Sequence, residues 1–409
     1  MDINEIRNVL EEKGQLQLLN FFDELAEEKQ NMLLEQISEI DFSLLDLIKN
    51  DEKKAERGVI TPITDVARLS DIKKHEEEYK NAGLSAIKNG EVAAVLLAGG
   101  MGTRLGSDNP KGMFNIGITK DVYIFEMIIR NLLDVVNESG CFIHLFVMTS
   151  EKNHDITVTF FKDMNYFGYD KEYVHFFRQS MAPACDYDGK ILLEEKDRVA
   201  TSPNGNGGWF KSMEEAGVLN IVKNEGIKWL NVFAVDNVCQ RICDPKFVGA
   251  TILSGKPCGS KVVAKATPDE KVGVLCNEDG RPSIVEYYEL TKEMMDAKDE
   301  NGNYSYNYGV ILNYLLNVDA LIEIVNSNLP VHVVEKKIPY VDGEGNVVKP
   351  ETPNGYKFET LILDMIHMLS GCLGYEVLRS YEFAPIKNKT GVDSVESARK
   401  LLKLNGVEL

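Results

Sequence analysis

The chain has 409 residues and a formal net charge of −19, with 44% hydrophobic residues. This length suffices for one large domain or two to three smaller ones, and the acidic balance argues against a nucleic-acid partner. No apolar run approaches the roughly 20 residues of a membrane span, the N-terminus lacks a signal-peptide pattern, and seven sparse cysteines are typical of a reducing compartment. We therefore expect a cytoplasmic protein without a membrane or nucleic-acid partner.

The first 57 or so residues have helical periodicity. Leu16, Leu19 and Phe22 recur at helical spacing, and acidic residues outnumber basic ones in this stretch. The simplest interpretation is a solvated amphipathic cap on the main domain. We assign residues 1–75 to an N-terminal helical region, with a break at the Thr-Pro-Ile-Thr string of residues 61–64.

From about residue 90, predicted strands alternate with predicted helices. Apolar runs indicate strands at 92–98, 142–148 and 228–235. A helical stripe covers 125–136, and the Thr-Ser pair at 149–150 predicts the start of another helix. The alternation predicts an α/β fold with a mixed, mostly parallel sheet and helices on both faces. In such sheets, ligands bind beyond the carboxyl ends of the strands.

The stretch after the first of these strands is rich in glycine. It has the sequence G-G-M-G-T-R-L-G at 99–106, followed by P-K-G-M at 110–113. The glycine spacing is one residue too long for the dinucleotide fingerprint, and the Walker string is absent. Glycines let backbone N–H groups approach an anion, and Arg104 and Lys111 add positive charge. The loop predicts a polyphosphate site, with an ordinary strand-to-loop turn as the alternative.

Three other positions could carry chemistry. Asp236 follows a predicted strand, as the glycine loop does, so the two can meet at one site; it could hold Mg²⁺ or merely cap a turn. The Asn206-Gly207 turn could contact a base edge or a sugar hydroxyl, or be a plain loop. Lys387 could clamp a phosphate or be solvated. The six histidines have no metal-binding spacing, and no serine-hydrolase elbow occurs.

Together these motifs resemble the signature of UTP-dependent sugar-1-phosphate uridylyltransferases. The likeness is greatest to the eukaryotic-type UDP-N-acetylhexosamine pyrophosphorylases, and strings in the family's order extend over roughly residues 90–390. The resemblance implies a Rossmann-like (GT-A-like) nucleotidyltransferase domain, which we place at 76–388, and a short C-terminal tail at 389–409. The family's C-terminal β domain, which is associated with self-association, is absent from the sequence, so a monomer is expected.

The resemblance also implies a reaction and the residues that perform it. UTP and a sugar 1-phosphate would give a UDP-sugar and pyrophosphate through in-line, Mg²⁺-assisted attack on the α-phosphate of UTP. The implied roles are catalysis by Arg104, Lys111 and Lys387; nucleotide binding by Gly99, Gly100, Gly102, Gln179, Asn206 and Gly207; sugar binding by Asn206, Glu286, Asn307, Leu361 and Leu363; and metal binding by Asp236.

Two leucines bear on which sugar 1-phosphate is the expected substrate. Leu361 and Leu363 stand where animal members of the family carry phenylalanines near the N-acetyl pocket. N-acetylglucosamine 1-phosphate is the expected substrate, and an enzyme that prefers glucose or galactose 1-phosphate is the alternative. Two other classes are a catalytically silent nucleotide-sugar sensor and a glycosyltransferase. The intact set of charged residues argues against the first, and the V-D-N-V string lacks the Asp-x-Asp motif of the second.

Overall fold

The computed structural model describes residues 2–50, 57–325, 327 and 329–409. The chain forms two compact units, each assembled from three separate segments of the sequence. Unit 1 comprises Met1–Glu56, Ser180–Gly208 and Leu329–Ile362, and unit 2 comprises Arg57–Gln179, Trp209–Asn328 and Leu363–Leu409. The predicted boundaries at residues 75 and 388 stay a prediction.

The α-helices of the described residues are short to medium in length, and none of them is both long and apolar enough to cross a bilayer. Their bounds, in chain order, are α1 Ile3–Glu12, α2 Glu27–Ser38, α3 Leu45–Asn50, α4 Leu69–Lys74, α5 Glu76–Lys88, α6 Ile124–Ser139, α7 His154–Asp163, α8 Trp209–Glu215, α9 Leu219–Asn224, α10 Pro245–Leu253, α11 Lys292–Asp296, α12 Val318–Val325, α13 Ile362–Met368, α14 Arg379–Glu382 and α15 Val395–Leu404.

The strands alternate with these helices through most of unit 2. Their bounds are β1 Ile60–Pro62, β2 Val66–Ala67, β3 Val92–Leu97, β4 Leu145–Thr149, β5 Val174–Arg178, β6 Met181–Pro183, β7 Cys185–Asp186, β8 Leu193–Glu195, β9 Arg198–Val199, β10 Thr201–Pro203, β11 Trp229–Ala234, β12 Cys258–Ala264, β13 Val274–Glu278, β14 Arg281–Val285, β15 Tyr308–Asn317, β16 His332–Lys336, β17 Tyr340–Val341, β18 Val347–Val348, β19 Gly355–Glu359 and β20 Leu373–Glu376.

Unit 2 is organised around one large sheet. Its main path has the order β2-β20-β12-β15-β11-β3-β4-β5, with β1, β13 and β14 attached beside it. The pairs β11–β3, β3–β4 and β4–β5 are parallel, whereas β15 runs antiparallel to both of its neighbours on the main path. Every residue of β3 and β4 is buried, as expected for central strands of a parallel sheet. The predicted α/β fold with a mixed, mostly parallel sheet is confirmed.

Two predicted boundaries around β4 are wrong. The strand expected at 142–148 begins only at Leu145, and the helix expected from residue 149 begins at His154. Thr149 remains in the strand because it pairs with Arg178 of β5. The backbone N–H of Ser150 then donates to Oδ1 of Asn153 (2.8 Å), which makes a turn before the helix.

Unit 1 has its own apolar core, to which the N-terminal helices contribute. Asp2 caps α1 through a capping box with Glu5. Helices are therefore present where the sequence predicted them over the described residues 3–50. The apolar residues of these helices are buried together with residues of the short strands. The buried residues of this core are Ile6, Leu10, Leu18, Phe21, Phe22, Leu33, Ile37, Ala182, Cys185, Ile191, Leu193, Val199 and Phe358.

The C-terminal segment packs into the core of unit 2. Ser394 caps α15, and Ala398 and Leu402 on that helix are buried. The carbonyl oxygen of Leu409 accepts hydrogen bonds from the backbone N–H (3.0 Å) and the hydroxyl (2.6 Å) of Thr119. These contacts hold the segment from residue 388 onward against the rest of the unit.

Candidate functional site

The ends of four neighbouring strands define the candidate site in unit 2. Strands β11, β3, β4 and β5 are parallel neighbours, so their carboxyl ends lie at one edge of the sheet. The glycine-rich loop follows β3, Gln179 follows β5, and Asp236 lies two residues after β11. The structure thus places three of the predicted site elements at the same edge, where α/β sheets bind their ligands.

The start of the glycine-rich loop is closely packed at its first residue. A Cβ atom on Gly99 would lie 3.2 Å from Oε1 of Gln179 and 3.5 Å from the backbone nitrogen of Ser150. The loop then folds back on itself, because the N–H of Lys111 donates to the carbonyl of Gly100 (3.1 Å). Gly99 and Gln179 therefore lie close together, and the role of Gly99, Gly100 and Gln179 in nucleotide binding stays a prediction.

The middle of the loop contains a short 3₁₀ helix, Thr103–Leu105. The N–H of Gly102 donates to the carbonyl of Asn109 (2.8 Å), which closes the turn at its base. Gly106 ends the 3₁₀ helix with φ +74°, a left-handed conformation that favours glycine. Backbone conformation thus explains the glycine at the C-terminal end of this short helix, whereas Gly102, with φ −83°, has a conformation open to any residue.

Two cations of this loop have no counterion among the described residues. Arg104 is exposed and Lys111 is half-buried, and within the part of the chain that the structure describes neither side chain is paired with a carboxylate. Both lie on a loop of a protein with a net charge of −19. Unpaired positive charges gathered at a sheet edge produce a local field that attracts an anion.

Asp236 and Lys387 are far apart in sequence but are held close by backbone contacts. The carbonyl of Asp236 accepts a hydrogen bond from the N–H of Ile386 (2.9 Å). The buried side chain of Asn237 donates to the carbonyl of Glu382 (2.7 Å) and accepts from the N–H of Ala384 (2.9 Å). These bonds dock the segment that carries Lys387 against the end of β11.

Lys387 is partly neutralised within its own loop. Its Nζ lies 3.0 Å from Oδ2 of Asp393, and its backbone N–H donates to the carbonyl of the same residue (2.7 Å). Asp393 has φ +51°, a left-handed conformation that is uncommon outside glycine, asparagine and aspartate. With 44% of its side chain exposed, Lys387 remains accessible to a ligand.

The predicted sugar-binding residues of unit 2 lie farther along the sheet. Glu286 follows β14, and its pKa is raised mainly by burial and then by Glu289, while the positive charges of Arg57 and Lys387 oppose the rise. Glu286 is therefore within electrostatic range of Lys387. Asn307 precedes β15 and is half-buried, with its carbonyl bound by a backbone N–H. Leu363 is half-buried on α13.

Three predicted residues of unit 1 are joined to one another. Oδ1 of Asn206 accepts a hydrogen bond from the N–H of Ile362 (3.0 Å), and the N–H of Gly207 donates to the carbonyl of Thr360 (2.9 Å). A Cβ atom on Gly207 would lie 2.6 Å from the carbonyl carbon of Leu361. The 206–207 turn is thus bonded to the segment between β19 and α13 that carries Leu361, and one acceptor position of Asn206 is used within the protein.

The sequence analysis missed several residues that support this edge. Lys261 and Glu382 form a buried ion pair behind Asn237, with Nζ 2.5 Å from Oε2. Lys389 reaches the glycine-rich loop beside Gly106. The first pair could have been suspected, because Lys261 interrupts the apolar strand C-G-S-K-V-V-A. Lys389 has no local signal, because Gly106 is remote from it in sequence.

The fold and this edge of unit 2 together define a nucleotidyltransferase of the α/β type. A glycine loop with unpaired cations suits the transfer of a group that carries phosphates. The chain also matches the family described as UTP–glucose-1-phosphate uridylyltransferase over residues 41–405, and it belongs to this family.

Known relatives support this assignment over nearly the whole chain. The human UDP-N-acetylhexosamine pyrophosphorylase-like protein 1 is 35% identical, covering 97% of this chain and 83% of the relative. The UDP-N-acetylglucosamine pyrophosphorylase of Saccharomyces cerevisiae is 35% identical, covering 97% and 89%. The crystal structure of the Trypanosoma brucei uridine diphosphate N-acetylglucosamine pyrophosphorylase in complex with inhibitor has a TM-score of 0.81 and 28% identity, covering 97% and 84%.

Proposed function

We propose that this protein converts UTP and N-acetylglucosamine 1-phosphate to UDP-N-acetylglucosamine and pyrophosphate. The observation that carries the proposal is the pair of uncompensated cations, Arg104 and Lys111, on a glycine-rich loop beside Asp236. The sugar is proposed from the relatives, several of which are named for UDP-N-acetylglucosamine. The expectations of a monomer and of a cytoplasmic location stay predictions.

The reaction requires charge neutralisation more than proton transfer. An oxygen of the sugar phosphate attacks the α-phosphorus of UTP, and the bond from that phosphorus to the bridging oxygen of the β-phosphate breaks to release pyrophosphate. The nucleophile is already anionic at neutral pH, because a phosphate monoester loses its second proton near pKa 6. Arg104, Lys111 and Lys387 would reduce the repulsion between the two polyanions and orient them in line.

A divalent cation would bind at Asp236. The half-buried Asp236 forms no ion pair with any residue that the structure describes, and those residues contain no cluster of three or more protein ligands for a metal. A single carboxylate fits Mg²⁺, which usually retains several waters and takes further oxygens from substrate phosphates. When bound, Mg²⁺ would supply positive charge to the phosphate oxygens.

The proposed contacts with the sugar involve residues of both units. Glu286 is proposed on the family resemblance, and the positive charge of Lys387 acts on the pKa of its carboxyl group. Asn307 and Leu363 are proposed on the family resemblance. For Asn206, Gly207 and Leu361, contacts with the nucleotide and the sugar also stay predictions from the resemblance.

Pyrophosphate release from UTP and Mg²⁺ tests the proposal. The assay compares the 1-phosphates of N-acetylglucosamine, N-acetylgalactosamine, glucose and galactose, and the fastest release is expected with the first. Fastest release with glucose or galactose 1-phosphate would contradict the proposed sugar but retain the chemistry. No release from folded protein that binds UTP would overturn the proposed reaction and favour a nucleotide-sugar sensor.

Two substitutions test the assigned charges. Lys111→Ala and Asp236→Ala should each lower turnover by about 10²–10³, by analogy with the loss of one preorganised electrostatic contact. Lys403→Ala, which removes an exposed lysine of α15, is the control and should leave turnover unchanged. Circular dichroism checks that each variant is folded. Near-normal turnover in either site variant would refute the role of that residue.

A further inference from the structure

A second lysine of the C-terminal segment reaches the glycine-rich loop. Nζ of Lys389 lies 3.3 Å from the position that a Cβ atom on Gly106 would occupy. Gly106 ends the 3₁₀ helix that carries Arg104. Because glycine has no side chain, the ammonium group can lie directly against the backbone of the loop.

The backbone around Lys389 is held in a tight loop. The carbonyl of Asp393 accepts hydrogen bonds from the N–H groups of Lys387 (2.7 Å) and Asn388 (3.1 Å). The side chain of Asn388 also donates to the carbonyl of Val392 (3.5 Å). These bonds close the loop at its base, so they hold the backbone next to Lys389, which directly follows Asn388.

The charge of Lys389 is uncompensated, unlike that of Lys387. Lys387 pairs with Asp393, whereas Lys389 is exposed and pairs with no carboxylate among the residues that the structure covers. Arg104 and Lys111 on the neighbouring loop are also unpaired. The three cations lie on or against one loop without an ion partner among the described residues, and positive charge gathered in this way attracts a polyanion.

We infer that Lys389 is a further phosphate-binding residue, whose ammonium group contacts the β- and γ-phosphates of UTP and hence the departing pyrophosphate. The inference rests on the proposed function. It assigns Lys389 to UTP because Lys389 lies against the loop that carries Arg104 and Lys111. Lys387, which is paired with Asp393, is left for the phosphate of the sugar substrate, as the family resemblance implies.

Equilibrium binding to the full chain tests this assignment without requiring turnover. Calorimetry in Mg²⁺ would compare UTP, pyrophosphate and UMP, which lacks the terminal phosphates. Lys389→Ala should weaken the binding of UTP and of pyrophosphate about 3- to 10-fold, as expected for one solvent-accessible charged contact, and leave UMP unchanged. Lys389→Arg should stay within about twofold of the wild type, because its charge is retained. The difference should shrink as salt is raised.

A matched control is Lys400→Ala, which removes an exposed lysine of α15. It should bind all three ligands as the wild type does. Unchanged binding of UTP and pyrophosphate by Lys389→Ala would overturn the inference, and so would an equal loss for UMP. A raised KM for the sugar phosphate with an unchanged KM for pyrophosphate would also overturn it. Wild-type protein that binds UTP but releases no pyrophosphate would refute the proposed function and leave the binding comparison valid.

Discussion

The substitution Lys261→Met should strongly destabilise unit 2. The Lys261 side chain is fully buried, with Nζ 2.5 Å from Oε2 of Glu382 and 2.9 Å from the carbonyl of Arg241. Only 15% of the Glu382 side chain is exposed. Methionine is similar in length but uncharged, so the variant would leave the Glu382 carboxylate buried without its counterion.

The structure allows the size of this effect to be estimated. Removing one partner of a buried ion pair costs about 3–5 kcal/mol, because the remaining charge loses its compensation. In domains of about 150–250 residues, 1 kcal/mol lowers Tm by roughly 2–4 °C, so a decrease on the order of 6–20 °C is expected at neutral pH. Lys261→Met combined with Glu382→Leu should recover part of this decrease, since neither member of the pair remains. The recovery is partial because Asp244, 3.7 Å from Nζ of Lys261, also loses that lysine and keeps, among the described residues, only its pairing with Arg241.

The loss of stability in Lys261→Met should also depend on pH. Burial raises the pKa of Glu382 even though Lys261 opposes the rise, and without Lys261 the pKa should rise further. A carboxyl group whose pKa is higher in the folded than in the unfolded state binds its proton more tightly when folded. Stability is therefore lost as pH rises from the unfolded value, about 4.3, through the folded pKa. The variant should be closer to wild type in acid than at neutral pH.

Thermal unfolding followed by circular dichroism at about pH 5 and about pH 7.5 measures these differences. The control is Lys228→Met, which breaks the pair between Lys228 and Glu91; 63% of the lysine side chain is exposed. Exposed pairs contribute about 0–1 kcal/mol, so Tm should hardly change. An unchanged Tm in Lys261→Met, or no recovery in the double variant, would refute the reasoning.

Two further predictions concern pH and packing. His144 Nδ1 and His175 Nε2 lie 2.9 Å apart. Burial lowers the pKa of His144. Burial and the charge of His144 together lower the pKa of His175 to about 4. Histidines titrate near pH 6.5 in the unfolded state, so Tm should fall as pH decreases from about 6.5 to about 4. The double variant His144→Gln/His175→Gln should show a weaker dependence of Tm on pH. An unchanged dependence would contradict the assignment of this effect to the two histidines. Gly112→Ala should destabilise by about 1–3 kcal/mol in denaturant unfolding, because its Cβ would overlap the Phe125 ring. Gly100→Ala, which has open space at the same loop, is its control, and equal stability of the two variants would exclude the overlap.

The local sequence was sufficient to predict the central strands and the turn that follows β3. Continuous apolar runs indicate β3 and β4, and glycines indicate a backbone turn, because both signals belong to neighbouring residues. The errors lie at element ends, where pairing decides the boundary. Thr149 stays in β4 because β5 lies beside it, and β5 is about 25 residues farther along the chain.

The sequence by itself determined the α/β class, the resemblance to sugar-1-phosphate uridylyltransferases and the strand-and-loop elements that carry the candidate residues. Only the tertiary structure decided which of them meet. Asn237 contacts Glu382 across 145 positions, and Lys261 pairs with that residue across 121. Lys389 lies against Gly106 in the same way. Such contacts depend on the order of strands in the sheet, which local periodicity and backbone preference do not encode.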